Sequence, residues 1–218
     1  MTLISRRSIV AAGLTAALAR PAAAALARID FEVRRNDSVI GSHSVSFARS
    51  GDNQVVTVAV DYLVKFGPIT LFRYALRGSE AWRGDSLAEA RFETDDDGRK
   101  DFMRATSRGG ALAVEGSASG SYTAPPGSII ASHWNRREVE RPMINPQNGE
   151  LMTFDVRDGG HDPVHTLGGE TLPAKRFTLT GPSTLDLWYE PSGAWAGLRA
   201  VARDGSVITY LRRQGTQG

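Results

Sequence analysis

Val55-Val56-Thr57-Val58-Ala59-Val60-Asp61-Tyr62-Leu63-Val64-Lys65-Phe66 places an apolar residue at every second position. Val56, Val58, Val60, Tyr62, Val64 and Phe66 form one set, while Val55, Thr57, Ala59, Asp61, Leu63 and Lys65 form a mixed one. A period of two held over 12 residues belongs to a strand with one buried face and one partly wet face, because successive side chains leave a pleated backbone on opposite sides. At roughly 3.3 Å per residue such a run is about 40 Å long. It is therefore expected to bend, or to break near Asp61.

The same grammar extends in both directions. Upstream, Ile29 to Arg35 and Val39 to Ala48 alternate around a turn at Asp37-Ser38, and Ser50-Gly51-Asp52-Asn53 leads into the long strand. Downstream, Gly67-Pro68 interrupts it, since proline has no N–H for a ladder. Ile69 to Trp82 then carries Phe72, Tyr74, Leu76 and Trp82 on one face and Arg73, Arg77 and Arg83 along the other. Arg83-Gly84-Asp85 turns into Leu87 to Thr94, and Asp95-Asp96-Asp97-Gly98 turns again. Asp-Gly suits a hairpin turn whose central residues need positive φ. The acidic triplet reads as that turn rather than as a calcium loop, which needs spaced ligands and a closing glutamate. Asp101 to Ser107 and Ala111 to Ser117 form a further hairpin around Arg108-Gly109-Gly110.

From Tyr122 to Glu150 the period is lost, and Pro125, Pro126, Pro142 and Pro146 fall in this span. Within it only Ile129 to Glu140 has room for a short helix. Long irregular segments inside compact domains tend to carry function. Strands resume at Leu151 to Arg157, Glu170 to Thr180, Thr184 to Tyr189, Ala194 to Arg203 and Ser206 to Arg213, with turns at Glu190-Pro191-Ser192-Gly193 and Asp204-Gly205. The expected architecture is all-β: one curved antiparallel sheet or barrel of roughly 10–14 strands, with one irregular segment at about 122–150.

Four stretches carry a family resemblance. Ser132-His133-Trp134-Asn135, Asn145-Pro146-Gln147-Asn148-Gly149-Glu150-Leu151, Leu172-Pro173-Ala174-Lys175-Arg176-Phe177 and Leu185-Asp186-Leu187-Trp188-Tyr189 resemble an uncharacterised group of exported bacterial proteins known as a domain of unknown function. That resemblance covers most of the chain after the leader. It implies an envelope location and a curved antiparallel sheet, and it brings neither an activity nor catalytic residues.

The leader itself has the three parts of a secretory signal: a charged start, an apolar stretch and a small-residue cleavage site. Ser5-Arg6-Arg7-Ser8-Ile9-Val10 resembles the twin-arginine export motif, with Ala11 where a lysine often follows. Ile9 to Ala19 is only 11 residues, too short for a hydrocarbon core of roughly 30 Å. Ala25-Leu26-Ala27 is the expected cleavage signal, which makes residues 1–27 a cleavable signal peptide and 28–218 a single β domain. The expected partners of the leader are the twin-arginine export machinery and signal peptidase. Removing Arg6, Arg7 and Arg20 from 26 basic residues leaves 23 against 24 acidic. The domain is thus nearly neutral, and nothing in that balance calls for nucleic acid. No second apolar run is long enough to anchor the mature protein in a membrane.

The chain has no cysteine, which excludes disulfides, thiolate metal sites, a thiol nucleophile and a lipid-modified cysteine. No cofactor and no metal is expected. His161-Asp162-Pro163-Val164-His165 spaces two imidazoles four apart, yet the proline and the surrounding glycines favour a solvated loop over a metal helix. His133, Trp134 and Asn135, with Asn145 and Gln147, are the candidate ligand-binding residues: an imidazole, a flat apolar ring and amides on one irregular segment suit the polar mouth of an apolar pocket. Against this, Trp134 can plug the open end of the sheet while His133 and Asn135 satisfy loop backbone. Trp188 joins the list, although one of Trp188 and Tyr189 must face the core because they alternate on a strand. No nucleophile elbow and no phosphate loop occurs after the leader.

The leading expectation is a periplasmic protein that binds an apolar or amphipathic ligand, such as a lipid or acyl chain, on the concave face of the sheet. A structural or assembly factor for another envelope protein is the first alternative, and an enzyme centred on His133 is the second.

Overall fold

The computed structural model describes residues 27–202 and 204–213. The expected twin-arginine pair, Arg6 and Arg7, and Ala25 of the cleavage site lie outside them. Among the described residues there is no α-helix.

The first eight strands form an unbroken antiparallel meander: β1 (Ala27–Arg35), β2 (Ser38–Ser50), β3 (Asn53–Phe66), β4 (Ile69–Arg83), β5 (Ser86–Asp96), β6 (Arg99–Arg108), β7 (Ala111–Gly116) and β8 (Gly120–Thr123). The central run of the sequence is β3. It passes Asp61 without a break and shifts register against β4 only between Val64 and Lys65. Such a bulge adds local twist, which lets a long strand follow a curved sheet.

The irregular segment builds a second, small sheet. Strands β9 (Ile129–Ile130), β10 (Met143–Ile144) and β11 (Leu151–Met152) pair in the order β11-β10-β9, with β9 parallel to β10. The helix expected inside 129–140 is one 3-10 turn, Arg136–Glu140, capped by Asn135. Two expected strands divide. Leu151 to Arg157 splits into β11 and β12 (Asp155–His161), and Glu170 to Thr180 into β14 (Thr171–Leu172) and β15 (Lys175–Thr180). β13 (Val164–His165) pairs with β14, so the expected His161–His165 loop is largely strand. Pro173 withholds a ladder donor between β14 and β15, and Pro163 does the same between β12 and β13.

β15, β16 (Thr184–Tyr189), β17 (Trp195–Val201) and β18 (Val207–Arg212) complete the large sheet of 13 strands, in the order β12-β15-β16-β17-β18-β1 and on to β8. The last strand lies against the first, with Val33 opposite Tyr210. Among the described residues no ladder joins the edge strands β8 and β12, so the sheet curls without closing. Its inner face holds the core: Phe31, Val45, Val58, Phe92, Met103 and Leu187 are essentially inaccessible, and Ile130, Met143 and Ile144 of the small sheet are buried with them.

Two glycines make this packing possible. A Cβ on Gly78 of β4 would stand 2.0 Å from the Phe92 ring, which lies across the strand where that side chain would be. A Cβ on Gly116 would stand 2.1 Å from the Asn148 carbonyl. The 145–150 turn therefore docks on the end of β7, where Ala118 N–H donates to the Asn148 carbonyl at 3.2 Å.

Candidate functional site

The curl brings opposite parts of the sheet round one cavity of about 230 Å³. Val60, Tyr62, Tyr74 and Leu76 of β3 and β4 form one wall. Leu179 and Leu185 of β15 and β16 form another, and residues 131–133 and 145–147 form a roof. Each wall residue sits on the inward phase of its strand, so the alternation in the sequence is what lines the cavity.

The roof is fixed by two buried carboxylates. Glu80 lies on the same face of β4 as Leu76 and is almost inaccessible. Its Oε1 accepts from Ser132 Oγ at 2.5 Å and from Trp134 Nε1 at 3.2 Å, and its Oε2 accepts from Trp82 Nε1 at 2.9 Å. Burial pushes the Glu80 carboxyl up to about 7, against the pull of these three hydrogen bonds. Glu138 lies on the 3-10 turn and is wholly inaccessible. It accepts from the His133 backbone N–H at 3.1 Å, pairs with His133 Nδ1 at 2.9 Å and accepts from the Tyr189 hydroxyl at 2.7 Å. His133 holds φ at 67°, a left-handed backbone uncommon for residues other than glycine. That bend turns its N–H and its ring nitrogen toward one carboxylate. With Nδ1 held against Glu138, Nε2 is the ring nitrogen of His133 left for another partner.

His43 of β2 lines the same cavity. It is 4% exposed, and neither ring nitrogen has a hydrogen-bond partner. Its ring meets Trp195 edge-on at 4.9 Å and Tyr210 at 5.7 Å. Burial, reinforced by nearby His133, lowers the His43 imidazole to about 3, so it is neutral at ordinary pH. Tyr62 and Tyr210 hydrogen-bond through their hydroxyls, and Tyr62 stacks on Tyr74 at 5.4 Å. Burial raises Tyr62 well above its usual range and Tyr210 to about 12. The cavity thus has apolar walls and one polar region of imidazoles and hydroxyls. No Asp, Glu, Lys or Arg is among its lining residues.

Of the residues singled out from sequence, His133, Asn145 and Gln147 line this cavity. Asn145 Oδ1 accepts the Gln147 N–H at 2.9 Å, which shapes the turn. Trp134 lies behind the roof, edge-on to Trp82 and to Phe47, both at 5.5 Å. Asn135 caps the 3-10 turn. Trp188 is on the opposite side of its strand from buried Tyr189 and donates to Asp162 Oδ2 at 3.1 Å, outside the cavity. His161 and His165 are exposed, and among the described residues no three His, Asp or Glu side chains gather as metal ligands. His43, Glu80 and Glu138 were not singled out. The signal for the first two was their phase: His43 alternates with Val45 and Phe47, and Glu80 with Leu76 and Trp82.

No curated protein matches this chain. In fold it is similar to the crystal structure of a β-barrel-like protein of the domain of unknown function DUF1849 from Brucella abortus. The TM-score is 0.59 at 9% identity, covering 86% of this chain and 95% of that one. In sequence, the profile of the domain of unknown function DUF6134 matches residues 31–213, and the chain belongs to that family.

Proposed function

We propose that this protein is an envelope binding protein that holds a small amphipathic molecule between the inner face of the large sheet and the 129–152 roof. The observation that carries the reading is His43. A buried donor and acceptor without partners is rare in a folded protein and calls for an occupant. His43 lines an otherwise apolar cavity, and both of its ring nitrogens are buried without a partner. Apolar walls with a few convergent polar groups are the usual make-up of a small-molecule site.

Size narrows the ligand. A cavity of about 150 Å³ takes a benzene, and drug-sized clefts begin near 300 Å³. The 230 Å³ here suits a molecule of intermediate size or the end of a longer chain, not a whole lipid. The twin-arginine leader supports action in the periplasm, after folding in the cytoplasm.

Native mass spectrometry of protein isolated without detergent from the periplasmic fraction tests the reading. It expects a co-purifying molecule that is lost on His43→Phe, a substitution that replaces the polar wall with hydrocarbon. Protein that arrives from its own compartment empty, and that takes up no alcohol, acid or amine offered to it, would overturn it.

A further inference from the structure

Resting on that reading, we infer that the polar group of the ligand is an uncharged one that both donates and accepts a hydrogen bond, a hydroxyl or an amide, and that His43 is its partner. The argument begins with what surrounds the imidazole. The titratable groups that line the cavity with it are Tyr62 of β3, Tyr74 of β4, Tyr210 of β18 and His133 of the roof, with Trp195 of β17 as a neutral edge. None is an acid or a fixed cation. Glu138 stands behind His133, already committed to three donors.

A charged head group placed here would lose its water and meet no opposite charge, which is costly in a dry interior. A carboxylate would also face the lone pair of one imidazole nitrogen. An ammonium would bring its positive charge beside two imidazoles and gain only one acceptor from each. A hydroxyl suits neutral His43 at either ring nitrogen, donating to the bare one or accepting from the N–H, and keeps its other hydrogen-bonding capacity for a second partner. The linked Tyr62 and Tyr210 hydroxyls add a donor and lone pairs of the same neutral kind.

Three probes of one chain length separate the possibilities: octan-1-ol, octanoate and octylamine. Binding is read by titration calorimetry and by tryptophan emission, to which Trp195 contributes with its ring 4.9 Å from His43. At pH 7.5 the alcohol is expected to bind at least about tenfold tighter than either charged probe. Octanoate should gain about tenfold for each pH unit lowered toward its own pKa near 4–5, because only its neutral acid fits. The alcohol serves as the control for pH effects on the protein itself. In His43→Gln, which keeps a donor and an acceptor, the order of the probes should persist; in His43→Leu the alcohol should lose its advantage. Octanoate or octylamine binding as tightly as the alcohol at pH 7.5 would overturn this inference and leave the cavity reading intact. If none of the three binds, both fall.

Discussion

The buried Glu80 carboxyl makes a quantitative prediction about stability and pH. Its ordinary value is 4.5, and burial raises it to about 7 in the folded chain. Below pH 4.5 the group is protonated in folded and unfolded chains alike and contributes no slope. Between 4.5 and 7 the unfolded chain ionises while the folded chain keeps its proton, so stability falls as pH rises. Above 7 both are ionised and the loss is complete. A difference of 2.5 pKa units at 1.36 kcal/mol each makes that loss about 3 kcal/mol. Glu80→Gln removes the titration but leaves an amide where three donors converge, so one indole N–H loses its acceptor at a cost of about 1–3 kcal/mol. The variant should therefore be less stable than the parent at pH 5 and similar to it, or more stable, at pH 8. Urea unfolding followed by tryptophan emission from pH 4.5 to 8 gives both curves. Their difference should change by about 3 kcal/mol across the range. Exposed acids such as Asp204, held down to about 2 chiefly by hydrogen bonds to Ser206, cancel in that difference. A difference constant to within about 1 kcal/mol would refute the assignment of a strained buried acid to Glu80.

Other perturbations test other parts of the structure. His43→Phe should raise the unfolding free energy by about 1–3 kcal/mol, because it removes an unpartnered buried polar group; a fall in melting temperature would show that the imidazole is satisfied. Tyr189→Phe deletes the hydroxyl that donates to Glu138 Oε1 at 2.7 Å. It should cost about 1.5–3 kcal/mol, and amide exchange at residues 132–140 should accelerate more than in the sheet. Gly78→Ala drives a Cβ into the Phe92 ring and should destabilise by about 1–3 kcal/mol, whereas Gly98→Ala, with open space around it, should act only through its positive φ. Replacing Arg6 and Arg7 together by lysine should leave an uncleaved precursor in the cytoplasm; periplasmic recovery at the parent level would remove the twin-arginine assignment.

The alternation in 55–66 is enough to specify the sheet, because a period of two commits each residue to a face before any partner is known. The hairpin turns at Gly67-Pro68, Gly84 and Gly98 then set the order of the meander. What alternation cannot give is the partner of the last strand. β18 returns to β1 across the whole length of the chain, and no local signal encodes that pairing. The irregular segment resisted for a different reason. Its strands are two residues each, too short to show a period, and one pair is parallel. The site was partly legible. His133, Asn145 and Gln147 lie where a roof over the sheet would put them, while Trp134 and Asn135 serve the roof itself. His43 and Glu80 interrupt otherwise apolar inward phases, and a polar residue in such a phase is either satisfied or waiting for a partner.

Those two residues resolve that choice in opposite ways, and the contrast is what separates scaffold from site. Glu80 has every lone-pair direction it needs filled by Ser132, Trp134 and Trp82. Replacing such a satisfied network by well-packed hydrocarbon is often neutral or even stabilising, so stability alone is a weak reason for a carboxylate there. Orientation is a stronger one, because an apolar contact would let residues 132 and 134 slide, whereas hydrogen bonds fix their angle. Glu138 does the same for the backbone and the ring of residue 133. Together the two acids pin three consecutive roof residues over the sheet, with Ser132 and His133 facing the cavity. A roof held so rigidly would be wasted on a core that packs itself. It has a purpose when the space beneath must keep its shape while empty, so that the binding molecule does not have to supply the energy of ordering it.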